Sequence, residues 1–135
     1  MEQLDVMALI RLGQNLERNV NVALMYSGLR IPQFRLLDAV AERGQATVTE
    51  LSEALHITRA TASVMVNELI RSGSVAVLEN EADRRSFHVR LTEDGLYRLQ
   101  SARSDLAVLT DKLSNRYPEE TTRMLNELTR KMALK

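Results

Sequence analysis

Residues 47–91 read TVTELSEALHITRATASVMVNELIRSGSVAVLENEADRRSFHVRL, and a change of hydrophobic period inside this stretch decides the fold. Leu51, Ala54 and Leu55 recur at helical spacing, which predicts a short helix over residues 49–56 with Thr49 as its N-cap. A turn falls at Ile57. A second helix follows, with Thr58 as cap, Ala62, Met65, Val66, Leu69 and Ile70 as its apolar stripe, and Gly73 as the left-handed residue that ends it. Arg59, Thr61, Ser63 and Asn67 are its outward polar residues. Beyond Gly73 the period falls to two: Val75 and Val77 form one run, Phe87, Val89 and Leu91 another, and the polar residues 79–86 lie between them. That is a hairpin with a long tip. Two amphipathic helices this close, followed by such a hairpin, make a helix-turn-helix with a wing.

The flanks add long helices. Leu9, Leu12, Leu16, Val20 and Leu24 give residues 4–25 an apolar stripe. Gly28 and Pro32 then mark a break, with Pro32 predicted as the first residue of a helix that runs to Ala41 and buries Phe34, Leu37 and Val40 before Arg43-Gly44. Thr47-Val48 is short, but pairing with the hairpin would make a three-stranded sheet. After the wing, Thr92 is a fresh cap with Glu93 and Asp94 in the first turn, where acids suit the helix dipole. From Leu96 onward, Leu99, Ala102, Leu106, Leu109 and Leu113 alternate threes and fours, the seam of a helix that lies along another helix. A break at residues 115–118 precedes a last helix opened by Pro118-Glu119-Glu120 and striped by Thr121, Leu125, Leu128 and Met132.

The fold class is therefore mostly α with a small β wing. The expectation is one domain over residues 1–135, with 31–95 as the winged helix-turn-helix and 1–30 and 96–135 as dimerisation helices. Three long amphipathic helices around so small a core expose more apolar surface than the core can cover, so a homodimer is expected.

Composition narrows the function classes. No apolar run approaches the ~18 residues of a membrane span and no basic-then-apolar leader is present, which makes a cytoplasmic protein without membrane partners the expectation. The absence of cysteine removes disulfides, thiolate metal sites and cysteine redox switches. His56 and His88 stand alone, so no metal or other cofactor is expected. There is no glycine-rich phosphate loop and no serine-histidine-acid arrangement, which argues against an enzyme.

Charge is even: 18 basic residues against 18 acidic ones, with a pI near 6.7. Within residues 47–91, Arg59, Arg71, Arg84, Arg85 and Arg90 stand against Glu50, Glu53, Glu68, Glu79, Glu81 and Asp83, five to six. A nucleic-acid footprint must then come from placement, not from net charge. Arginine outnumbers lysine fifteen to three, and arginine makes the bidentate contacts that lysine cannot.

These pieces together resemble the multiple antibiotic resistance regulator (MarR) family of winged helix-turn-helix transcription factors. The resemblance rests on Val48-Thr49-Glu50-Leu51-Ser52-Glu53-Ala54-Leu55, the helix from Thr58 to Gly73, Asp83-Arg84-Arg85-Ser86 in the wing, and Leu91-Thr92-Glu93-Asp94-Gly95 after it. It implies a homodimeric, sequence-specific regulator of double-stranded DNA, a repressor, whose two recognition helices enter successive major grooves of a pseudo-palindromic operator. Arg59 would contact guanine or phosphate, Thr61, Ser63 and Asn67 base edges or phosphates, and Thr58 would present first-turn amides to a phosphate. Arg85 would enter the minor groove, oriented by Asp83 through a charge-assisted bond, with Arg84 facing the backbone. Two departures from the family pattern are Ser74, where a larger apolar residue is usual, and Val64, where a polar or basic one is common. The family also implies a small anionic aromatic or lipophilic effector in a crevice beside the dimer helices, for which Tyr26, Arg30 and Arg35 are the candidates. The even charge admits an alternative, a winged-helix dimer that has lost DNA affinity and serves as a protein-interaction module.

Overall fold

Apolar side chains from four helices, the sheet and the segment before the second helix close into one core, in which Leu24, Leu36, Leu37, Val40, Leu51, Val89 and Leu99 are fully buried. The computed structural model describes residues 1–83 and 85–132. In chain order these form α1 (Val6–Ala23), a single 3-10 turn (Met25–Ser27), α2 (Ile31–Arg43), β1 (Ala46–Thr47), α3 (Val48–Leu55), α4 (Arg59–Arg71), β2 (Val75–Glu79), β3 (Phe87–Leu91), α5 (Glu93–Arg116) and α6 (Glu119–Lys131). The strands make one antiparallel sheet in the order β1-β3-β2, with Ala46 opposite Val89 and Val75 opposite Leu91. This is a winged helix with long helices at both ends.

Helix starts follow from side chains that satisfy orphan backbone donors. Asp5 caps α1 through the Ala8 amide at 3.0 Å, and Thr92 caps α5 through the Gly95 amide at 3.0 Å. The start of α3 differs from expectation: Thr47, not Thr49, is its N-cap. The Glu50 amide donates to Thr47 Oγ1 at 3.1 Å while the Thr47 amide donates to Glu50 Oε1 at 3.0 Å. This reciprocal pair satisfies two donors, whereas Thr49, followed three residues later by Ser52, lacks the acid needed for the return bond. The same commitment moves β1 one residue earlier than predicted, because Val48 is already the first residue of α3. Pro32 is the second residue of α2, behind Ile31; its missing N–H is an orphan at either place.

Helix α4 ends as its sequence predicts. Gly73 adopts φ 79, the Gly73 amide donates to the Ile70 carbonyl at 3.0 Å and the Ser74 amide to the Leu69 carbonyl at 2.9 Å, a Schellman closure. The core extends beyond residues 31–95: Leu24, Leu29, Leu99 and Ala102 are all part of it. Helices α1 and α6 bury no residue at all. Leu9, Leu12 and Leu16 on α1 and Leu125, Leu128 and Met132 at the other end remain 41–48% exposed. Among the described residues, no helix is long and apolar enough to cross a membrane.

Candidate nucleic-acid interface

Helix α4 is held to the body by Ala62, Val66 and Leu69, which are buried, and by the half-buried Met65. At 100° per residue the line farthest from that stripe carries Ala60, Val64, Asn67 and Arg71. All four are exposed. Ser63 flanks this line on one side and Thr61 and Glu68 on the other, all exposed as well, whereas Arg59, seven residues before buried Val66, is exposed because it stands in the open first turn. Of the predicted outward residues, Thr61, Ser63 and Asn67 therefore share the solvent side of the helix, with only Asn67 on its central line, and Arg59 is exposed at the helix start. Ala60 and Val64 carry no polar signal that marks them as contacts in the sequence, and Arg71, at the last turn of the helix, is marked there only by its charge.

Thr58 caps this helix as predicted. Its Oγ1 accepts from the Thr61 amide at 3.1 Å and donates to Thr61 Oγ1 at 2.9 Å, and its carbonyl accepts from the Ala62 amide at 3.0 Å. The Arg59 and Ala60 amides are left directed out of the helix end, the geometry that suits a phosphate. The preceding turn is tight. His56 has a positive φ of 55, and the Ile57 amide returns to the Ser52 carbonyl at 3.0 Å, which fixes the angle between α3 and α4. His56 thus serves as a helix terminus, and among the described residues no cluster of three metal-ligating side chains occurs.

The wing tip is ordered by two short polar side chains acting on backbone. Asn80 Oδ1 accepts from the Ala82 amide at 3.0 Å and Asn80 Nδ2 donates to Ser86 Oγ at 2.9 Å. Asp83 Oδ1 accepts from the Arg85 amide at 3.0 Å. Asp83 orients Arg85 through the main chain, and its charge-assisted bond goes to an amide rather than to the guanidinium. The Arg85 side chain is exposed. Arg84, the other predicted wing contact, lies outside the described residues.

Charge placement is the property that net charge conceals. Among the described residues the ion pairs are Arg43–Glu42, Arg98–Asp94 and Arg103–Asp38, none of them on α4 or the wing. Arg59, Arg71, Arg85 and Arg90 are all exposed and take part in none of these pairs. Of the opposing acids, Glu50 is occupied by the α3 cap. The Thr47 amide and hydroxyl hold its carboxyl below the usual carboxylate range, and His88 and Arg43 add smaller attractions.

The effector candidates do not converge. Arg30 lines a hollow with Asn21, Val22, Met25, Gly28 and Leu29, and Arg35 lines another with Asp38, Glu42 and Leu55. Tyr26 lines neither and is 94% exposed. Arg30 is the extended N-cap before α2 and Arg35 lies inside the helix, so the two line different hollows. A third cleft, between α2 and α5, is lined by Phe34, Arg103, Leu106, Ala107, Thr110 and Asp111.

The family model described as MarR family matches residues 27–86, from the 3-10 turn before α2 to the end of the wing tip. The match spans 60 of the 135 residues, and over them the chain is similar to the MarR family. Wild-type MarR from E. coli in its apo form is 23% identical, with a TM-score of 0.80 over 97% of this chain and 98% of that one. The transcriptional repressor CouR bound to a 23-mer DNA duplex is 23% identical, with a TM-score of 0.90 over 97% and 93% of the two chains. The M. tuberculosis regulator MosR in complex with DNA is 23% identical, with a TM-score of 0.73 over 95% of each chain. At this identity the likeness is one of fold. No curated protein matches the sequence significantly.

Proposed function

We propose that this chain is a MarR-type regulator: a homodimeric, sequence-specific double-stranded DNA-binding transcriptional regulator that acts as a repressor. The observation that carries the reading is α4: it is fixed on one face by buried Ala62, Val66 and Leu69, and its opposite face presents exposed residues with no structural task. The wing supports it, since Asn80 and Asp83 hold Arg85 at the end of a preformed hairpin. So do the fold neighbours CouR and MosR, both solved with DNA.

Dimerisation follows from α1 and α6, whose apolar stripes stay exposed in a single chain. Pairing them across a two-fold axis buries both and sets two α4 helices toward major grooves about 34–36 Å apart. In each half-site the Arg59 and Ala60 amides take a phosphate, Arg59 and Asn67 take base edges or phosphates with Thr61 and Ser63 beside them, and Arg85 enters the minor groove. The α2–α5 cleft, rather than Tyr26, Arg30 and Arg35, is the place for an anionic aromatic effector. Phe34 and Leu106 offer it apolar contact, and its carboxylate would compete with Asp38 for Arg103.

The test is binding of purified protein to fragments of its own upstream DNA at two salt concentrations, with mass determined in the same buffer. A dimer giving a discrete, salt-sensitive complex with one pseudo-palindrome is the expected result. A folded dimer that binds no fragment at low salt would sink the reading and turn the search to protein partners of the wing.

A further inference from the structure

Val64 sits on the central outward line of α4, 56% exposed, one turn from the exposed Ala60 and three residues before Asn67. Its environment gives it no structural reason to be valine. The helix packs through Ala62, Val66 and Leu69 on the opposite side, and an exposed β-branched residue in a helix interior is a worse helix former than alanine. The apolar stripes assigned to dimerisation are on α1, α5 and α6, so a second copy does not cover it. What surrounds it is polar: Thr61, Ser63, Asn67 and Glu68 are all exposed.

We infer that Val64, supported by Ala60, reads the 5-methyl group of thymine in the major groove. The inference rests on the proposed DNA-binding function and deepens it by naming a specificity-determining contact. Among the bases only thymine presents a methyl group on the major-groove edge; cytosine offers there no more than a C5–H, and the remaining recognition positions are donors or acceptors. A valine cannot pair with those, and seated against one it would strip water from the base and leave the group unsatisfied. Against a methyl the same side chain excludes water from both partners. Ala60, one helical turn of ~5.4 Å away on the same line, keeps the surface low enough for the base edge to approach, while Asn67 on the other side has the amide that pairs with adenine. The combination selects an A/T step at the centre of each half-site.

The experiment uses the full chain and a duplex selected by it from a random pool. Each thymine of that duplex is replaced singly by deoxyuridine, which removes only the methyl, and dissociation constants are measured for wild type and Val64→Ala. One symmetric position is expected at which wild type loses about fourfold per half-site, about fifteenfold when both are changed, the worth of one buried methyl group. Val64→Ala should show no loss at that position and keep the salt dependence of wild type. If no thymine methyl matters to wild type, or if Val64→Ala keeps the full sensitivity, the assignment is overturned while DNA binding stands. If the chain selects no duplex at low salt, both the assignment and the DNA reading fall. Circular dichroism of Val64→Ala should match wild type, because an exposed helical position is being changed to a better helix former.

Discussion

Gly95→Ala should destabilise the fold far more than a methyl added to a helix normally does. Gly95 lies in the first turn of α5, buried against the segment that follows α4. A Cβ built there would overlap the Ser74 carbonyl oxygen and lie 2.8 Å from the carbonyl carbon, where carbon–carbon contact prefers about 3.5–4.0 Å. The obstacle is backbone and cannot swing aside. Backing α5 off by about 1 Å to restore that contact would stretch the bonds that join it to the end of α4. The Thr92 amide now donates to the Ser74 carbonyl at 3.0 Å and Thr92 Oγ1 to the Gly73 carbonyl at 2.6 Å. Overpacking of this kind costs about 1–3 kcal/mol, and two weakened hydrogen bonds add about 1 kcal/mol each. The better helix propensity of alanine returns less than about 1 kcal/mol. A net loss of about 2–4 kcal/mol should lower the guanidinium midpoint at unchanged m and drop Tm by roughly 10 °C. Ser104→Ala, exposed on the same helix, is the control and should stay within about 0.5 kcal/mol of wild type. Equal stability of Gly95→Ala and Ser104→Ala would refute the close approach of α5 to Ser74.

Three further outcomes follow from the same geometry. Arg85→Ala should weaken binding to every duplex about equally and reduce the salt slope by about one unit in fluorescence anisotropy titrations, since it removes one cation from the groove; an unchanged slope would take the wing out of the mechanism. Glu50 has a folded-state pKa below its ordinary value, so its contribution to stability is fully present above about pH 4.5 and is lost as pH falls through the folded value. Glu50→Gln keeps the return bond to Thr47 and should remove that part of the acid sensitivity in pH-dependent denaturation, whereas identical acid profiles would deny the carboxylate its role. His56→Gly should raise stability by up to about 1 kcal/mol in urea unfolding, because φ 55 costs a Cβ-bearing residue what glycine does not pay; a loss of stability would show that the His56 side chain holds the α3–α4 turn.

Much of the fold was legible because its signals are local. Thr58, Thr92 and Gly73 are caps whose chemistry needs only a few neighbouring residues, and all three stand where their types require. The α3 start was misplaced because two threonines, Thr47 and Thr49, compete within two residues; only the position of Glu50 three residues after the first decides between them. Two features needed the third dimension. The burial of Gly95 against Ser74 joins residues twenty-one apart in sequence, and it explains the small residue at 74, since the chain there passes directly under the first turn of α5. The separation of Tyr26, Arg30 and Arg35 likewise depends on their standing in three different backbone settings, the 3-10 turn, the extended N-cap of α2 and the helix itself, which proximity in sequence conceals.

The even charge of the winged segment acquires a different meaning once the side chains are placed. Phosphate affinity depends on which charges face the duplex, so a five-to-six count over residues 47–91 is informative only if all eleven share one surface. Glu50 is bound into the α3 cap and Asp83 into the turn beneath Arg85, so two of the six acids are engaged by backbone amides. Glu68 remains on the flank of α4 and Glu79 and Glu81 remain exposed along the wing. Such a surface attracts phosphate weakly and repels it where the fit is poor. Non-specific affinity should then be low, and discrimination should rest on base-edge contacts from α4, where Asn67 and Val64 stand at the centre. The salt dependence separates this arrangement from that of a basic winged helix: a shallow slope with strong sequence preference is expected, and a steep slope with little preference would mean that cations elsewhere on the dimer dominate the interaction.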